Sequence, residues 1–184
     1  MAAGPAMTGE PASWPDPVRL NQLAHGPITR HIAADPAARG RIARELGLDR
    51  LDRLEAELTL TPWLDGAEIE GRWSAAIEQT CGVTLEPLPS EPQGEFRLRV
   101  VPAGSPNASA PTDEETPIDL DAEDPPDVLD GEAIDLGAYL IEQLALQIDP
   151  FPKKPGAVFV QPDEPQPPSP FEALRNFKAD PGRS

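Results

Sequence analysis

The sequence predicts an α+β domain, an antiparallel β-meander sheet packed against two helices, and three observations predict it. Two long runs alternate with period two, residues 54–61 and 69–78, on either side of a turn-like Trp63-Leu64-Asp65-Gly66. Two further stretches repeat apolar residues at helical spacing behind an aspartate. The remainder holds many of the 25 prolines and most of the charge, in a chain that is only 39% apolar with a net charge of −17, a composition that leaves about a third of it outside any packed core.

Residues 1–16 are rich in Ala, Pro and Gly and are expected to be disordered. Residues 18–23 read as a short first strand near an edge. Asp35 followed by Pro36 has the form of an N-cap and first helical position, and Gly47 suits a left-handed stop, so a helix is predicted over 36–46. Its Ala38, Ile42 and Leu46 form an apolar stripe that can dock on a sheet, with Arg39, Arg41 and Arg44 pointing elsewhere.

In the first alternating run Leu54, Ala56, Leu58 and Leu60 oppose Glu55, Glu57, Thr59 and Thr61. In the second, Ile69, Trp73, Ala75 and Ile77 oppose Glu70, Arg72, Ser74, Ala76 and Glu78. The two should pair as an antiparallel hairpin with one wet face. A Pro-containing bend over 87–94 leads to another strand, with Phe96, Leu98 and Val100 set against Arg97 and Arg99.

Residues 104–131 carry nine acids and no base, about half of the net charge, and read as a solvated, self-repelling linker or as a lure for a basic partner. Past it, residues 128–129 can add a brief strand, and Asp135 is placed to cap a helix over 136–148 with a stripe of Leu136, Leu140, Leu144 and Ile148. Prolines from 152 onward exclude further regular helix until residues 171–178, where Phe171, Leu174 and Phe177 fall on one side of a short terminal helix. The expected organisation is a disordered N-terminus (1–16), one α+β domain with its acidic linker (17–150), and a Pro-rich tail (151–184).

Candidate chemistry is sparse. One cysteine excludes an internal disulfide, and with only His25 and His31 beside it no ordinary zinc set can be assembled from one chain. Cys81 lies on the face of Trp73 and Ile77 and reads as a small buried residue, although two chains can in principle pair their cysteines. There is no Gly-rich phosphate loop, Gly-x-Ser-x-Gly elbow or His-Glu-x-x-His run. The expectation is a protein that is not an enzyme, with no cofactor, metal or small-molecule substrate. No stretch reaches the ~18 apolar residues of a membrane span, and the start lacks the basic and apolar regions of a secretory signal, so a cytoplasmic monomer is expected. The negative charge opposes general binding to phosphate backbones.

One ordered series is more specific: an acidic linker, then Ile134-Asp135-Leu136, an apolar helix bearing Glu142, a Pro-rich stretch, and a closing Pro170-Phe171-Glu172-Ala173-Leu174-Arg175-Asn176-Phe177-Lys178. It resembles the YceD family, bacterial and plastid proteins named for accumulation of large-subunit ribosomal RNA, over residues 50–178. Those relatives often carry a Cys-x-x-Cys pair upstream; here Cys81 is followed by Thr84 where the second Cys would be. The resemblance implies a non-enzymatic factor in large ribosomal subunit biogenesis, supporting processing or accumulation of 23S ribosomal RNA by binding a ribosomal protein, an assembly factor or the precursor RNA. Its implied partner-binding residues are Asp135, Glu142, Pro170, Phe171, Leu174, Phe177 and Lys178. Arg39, Arg41 and Arg44, which with Arg50 and Arg53 make the one local concentration of positive charge, join them as a candidate phosphate-contacting patch whose plainer reading is a solvated helix face held by ion pairs. An acidic adaptor holding a basic client is the alternative function.

Overall fold

The computed structural model describes residues 14–108 and 124–159. The acids from Asp113 to Glu123 and the segment from Pro170 to Lys178 lie outside the described residues, as does nearly all of the N-terminal stretch.

The domain is built around one long hairpin, β3 (Arg50–Trp63) and β4 (Gly66–Thr80), with Trp63 opposite Gly66 across the two-residue turn Leu64-Asp65. Fourteen and fifteen residues at about 3.3 Å each make strands well above the usual length. The alternation works as predicted: Leu54, Ala56, Leu58 and Leu60 are buried, as are Ile69, Trp73, Ala75 and Ile77. A bulge between Leu51 and Arg53 shifts the register, which explains why Leu51 and Leu54 are both buried although three apart.

β2 (Ile28–Ala33) pairs antiparallel with β3, and β6 (Gln93–Pro102) with β4. Between β4 and β6 the expected bend is instead a strand, β5 (Pro87–Ser90), antiparallel to β4. β5 and β6 follow the same register along β4, so together they form one strand interrupted at residues 91–92. The prolines are tolerated because of parity. Cys81 donates its N–H to the Glu86 carbonyl, and since antiparallel partners bond at alternate pairs, Pro87 and Pro89 direct their missing N–H away from β4.

β7 (Asp127–Leu129) completes the order β2-β3-β4-β6-β7 and runs parallel to β6, so the sheet is not a pure antiparallel meander. A second, two-stranded sheet joins the start of the domain to its end. The expected first strand is only β1 (Pro17–Arg19), continued by a 3₁₀ turn over Leu20–His25, and β1 pairs with β8 (Ala133–Asp135). Val18 and Ile134, opposite each other, are fully buried.

Helix α1 (Pro36–Glu45) begins and ends as its sequence predicts. Asp35 accepts a 2.7 Å hydrogen bond from the Ala38 N–H, and Gly47 takes φ 66° just past the end. Ala38 and Ile42 have no exposed surface and pack towards β3. Helix α2 (Leu136–Gln147) buries Leu136, Leu140, Ile141 and Leu144 in the same core; Ile148 is its half-buried C-cap, and Leu146 points outward. The opposite face of the sheet is wet and laddered with ion pairs: Arg72 with Glu95 at 3.0 Å, Arg97 with Glu70, Arg99 with Glu68 at 2.9 Å.

Gly66 starts β4 where the Val100 carbonyl comes so close that an added Cβ would lie 1.9 Å from its oxygen. Gly66→Ala should therefore cost about 1–3 kcal/mol of stability by overpacking two strands, measured as a lowered urea midpoint with an unchanged slope.

Candidate partner-binding surface

The Ile134-Asp135-Leu136 step is where strand becomes helix. Ile134 and Leu136 are fully buried, while Asp135 keeps an extended φ of −90° and turns its carboxylate back on the chain. One oxygen, Oδ1, accepts from the N–H groups of Gly137 (3.0 Å), Ala138 (3.3 Å) and Asp16 (3.2 Å). The first two satisfy the open end of α2. The third, reinforced by the Leu136 N–H donating to the Asp16 carbonyl at 3.2 Å, fastens the entry to β1 beneath the helix. Gly137 completes the seam, since the Trp14 carbonyl oxygen occupies the place of its absent Cβ. Asp135 thus commits Oδ1 inside the protein, where it acts as a positioning residue.

Glu142 has the opposite placement. Two turns along α2, exposed, it lines a cleft of about 540 Å³ between the helix and the outer edge of the sheet, with Tyr139 and Gln143 beside it and Arg97, Arg99 and Asp127 across it. The Tyr139 hydroxyl is pushed well above the ordinary phenol range, first by burial, then by the negative charges of Asp127 and Glu142 and a hydrogen bond to Asp127. It remains a neutral hydroxyl under all physiological conditions. Arg97 and Arg99 are held by glutamates on the wet face, so the acids of the cleft set its sign.

The α1 arginines are not part of this cleft. Arg39 donates to the Ala34 carbonyl at 3.2 Å and is half-buried, whereas Arg41 and Arg44 are exposed. Nearby Arg50 pairs with Asp52 and Glu78, and Arg53 with Glu55 and Glu91, which reduces the positive field of that region.

A third feature joins residues far apart in sequence. The chain leaving α2 is tied to the far end of β4: Gln79 donates its side-chain amide to the Asp149 carbonyl at 2.9 Å, the Gly82 N–H bonds the Pro152 carbonyl at 2.9 Å, and the Lys154 ammonium meets Glu86 at 2.9 Å. Cys81 lies at the centre of this clasp. It is fully buried, as expected, but its sulfur also accepts the N–H groups of Lys154 (3.3 Å) and Thr84 (3.5 Å). The Lys154 N–H above all, with Thr84, draws the thiol from its ordinary 9.0 down to about 6, outweighing the burial that raises it. Cys81 stands outside the main apolar cluster. Thr84 contributes through its side chain as well as its backbone N–H. The Cys-to-Thr spacing hinted at the turn, but nothing local in the sequence pointed to Lys154. Among the described residues, no three His, Cys, Asp or Glu side chains converge as a metal site.

Two measurements check these roles. Asp135→Ala should cost about 1 kcal/mol or somewhat more, the usual loss for an N-cap, read by urea unfolding and accompanied by faster amide exchange at Asp16, Gly137 and Ala138. For Cys81, a depressed thiol contributes stability above its unfolded value and loses it as the pH falls through the folded one. The pH-dependent part of the stability advantage of wild type over Cys81→Ala should be full above about pH 9 and gone below about pH 6, leaving only the pH-independent loss of buried contacts.

Residues 69–178 match the family model described as large ribosomal RNA subunit accumulation protein YceD. No curated protein and no solved structure matches the chain. The match begins inside β4, takes in the Cys81 clasp, the Ile134-Asp135-Leu136 seam and the Glu142 cleft, and extends to Lys178, covering more than half of the chain. The chain belongs to the YceD family of large ribosomal RNA subunit accumulation proteins.

Proposed function

We propose that the protein supports large ribosomal subunit biogenesis as a non-enzymatic binding factor, promoting processing or accumulation of 23S ribosomal RNA in the cytoplasm. The family match over residues 69–178 carries this reading. Binding to a ribosomal protein or assembly factor is favoured over direct binding to precursor RNA by the net charge of −17 and by the commitment of Arg50, Arg53, Arg72, Arg97 and Arg99 to carboxylate partners. The domain offers Glu142 and its cleft, and Pro170, Phe171, Leu174, Phe177 and Lys178 supply a second, apolar contact with the spacing of a docking helix.

The nine acids between residues 104 and 131 favour a second reading, an adaptor for a basic client unconnected to RNA maturation. Deleting the gene distinguishes the two. The expected outcome is a several-fold fall in the ratio of 23S to 16S ribosomal RNA with accumulation of large-subunit precursor, restored by the full chain and not by one ending before Pro170. A normal ratio with normal precursor would exclude the biogenesis role and leave the adaptor.

A further inference from the structure

The wall of the Glu142 cleft that faces α2 is an unfinished sheet edge. The Ala75 N–H bonds the Pro92 carbonyl at 2.9 Å, and β4 and β6 keep one register from Ser74↔Gln93 to Ala67↔Val100. Alternate pairing then makes Trp73↔Gly94, Gly71↔Phe96 and Ile69↔Leu98 the bonded pairs. The main-chain N–H and C=O of Glu95 and Arg97 consequently point away from β4, towards the side where β7 lies.

β7 does not reach them. Its parallel ladder begins only at Val100↔Asp127, and the two residues before Asp127 are Pro125 and Pro126, which have no N–H to offer. Among the described residues no strand pairs with the outer edge of β6, the one away from β4, ahead of Val100. The result is a groove with a strand edge on one side and a helix on the other, the arrangement in which extended peptides add to a sheet. Its charge selects among peptides: Glu142, Asp124 and Asp127 line it, while the guanidinium of Arg97 is occupied by Glu70 at 2.7 Å.

We infer that this groove takes an extended basic segment of a protein partner as an added strand on β6, its main chain bonded to Glu95 and Arg97 and a Lys or Arg side chain meeting Glu142 across the cleft. The inference rests on the reading above that the partner is a protein, and it names the partner's chemistry.

The test uses the full isotopically labelled chain and three probes: an alternating Arg-Thr nonapeptide, its Glu-Thr counterpart, and a uridine oligonucleotide. The Arg-Thr peptide should shift amides at residues 95–99 and 139–143, and Glu142→Arg and Arg97→Pro should each weaken it about tenfold or more. Glu142→Arg alters an exposed residue and keeps the fold. It changes the net charge by only two out of −17, so a diffuse attraction to the acidic chain would scarcely notice it. Arg97→Pro removes an outward N–H at a position where a strand edge tolerates proline. Shifts confined to the wet face, equal binding of the Glu-Thr peptide, unchanged affinity in Glu142→Arg, or the oligonucleotide taking the same cleft would each overturn the proposal. Returning Glu142→Arg to the deletion strain separates it from the broader role: restored 23S ribosomal RNA with lost peptide binding defeats this groove and leaves the biogenesis function standing, whereas a deletion without effect on the RNA defeats that function.

Discussion

The rest of the fold depends on β4 being paired along both edges for nearly its whole length. Such a strand cannot choose its neighbours independently. β3 sets one register through a two-residue turn, and the opposite edge must then accept a single track, which β5 and β6 share despite the break between them. With both edges satisfied, the inner face of β4 is free to be apolar and the outer face to be charged, so one alternation separates the core from a wet surface. Small residues on that inner face, Ala67, Gly71 and Ala75, let the 3₁₀ turn and the flanking side chains close over it.

The wet face shows how an acidic protein can carry many arginines whose charge is locally balanced. Each of Arg72, Arg97 and Arg99 lies opposite a glutamate on the adjoining strand, at the spacing cross-strand pairing imposes. Exposed pairs of this kind add little stability, about 0–1 kcal/mol each. Their larger effect is on recognition, because a guanidinium shared with a carboxylate projects a weak field. Arg99 also lies over the Trp63 ring, 4.9 Å from its centroid, which fixes the side chain near the hairpin turn.

Local rules were legible in the sequence and non-local ones were not. The caps at Asp35 and Asp135, the stop at Gly47 and the inward faces of β3, β4 and β6 follow from neighbours within four residues, and all were readable. β5 was not, because Pro87-Leu88-Pro89-Ser90 looks like a bend until parity shows that its prolines face outward. β7 was legible as a brief strand, but its parallel direction depends on how the chain returns after Pro102. The pairing of β1 with β8, and the reach of Asp135 to Asp16, span well over a hundred residues with no compositional mark. Of the site residues the family pattern suggested, Asp135 turns one carboxylate oxygen inward and Glu142 faces outward, a difference that depends on side-chain direction and cannot be read from order along the chain.

The clasp around Cys81 also determines where the C-terminal segment is anchored. Because Lys154 is bonded to Cys81 and Glu86, residues beyond it depart from the end of β4 opposite the hairpin turn. Eleven residues separate Phe159 from Phe171, a tether of at most about 40 Å. A ligand held at both the domain and the terminal segment would make its second contact as an intramolecular event, at an effective concentration set by that tether. For such a ligand, opening the clasp would lengthen the leash and dilute the second contact while leaving both surfaces chemically intact, so the hydrogen bonds to one sulfur would help to govern its avidity at a distance.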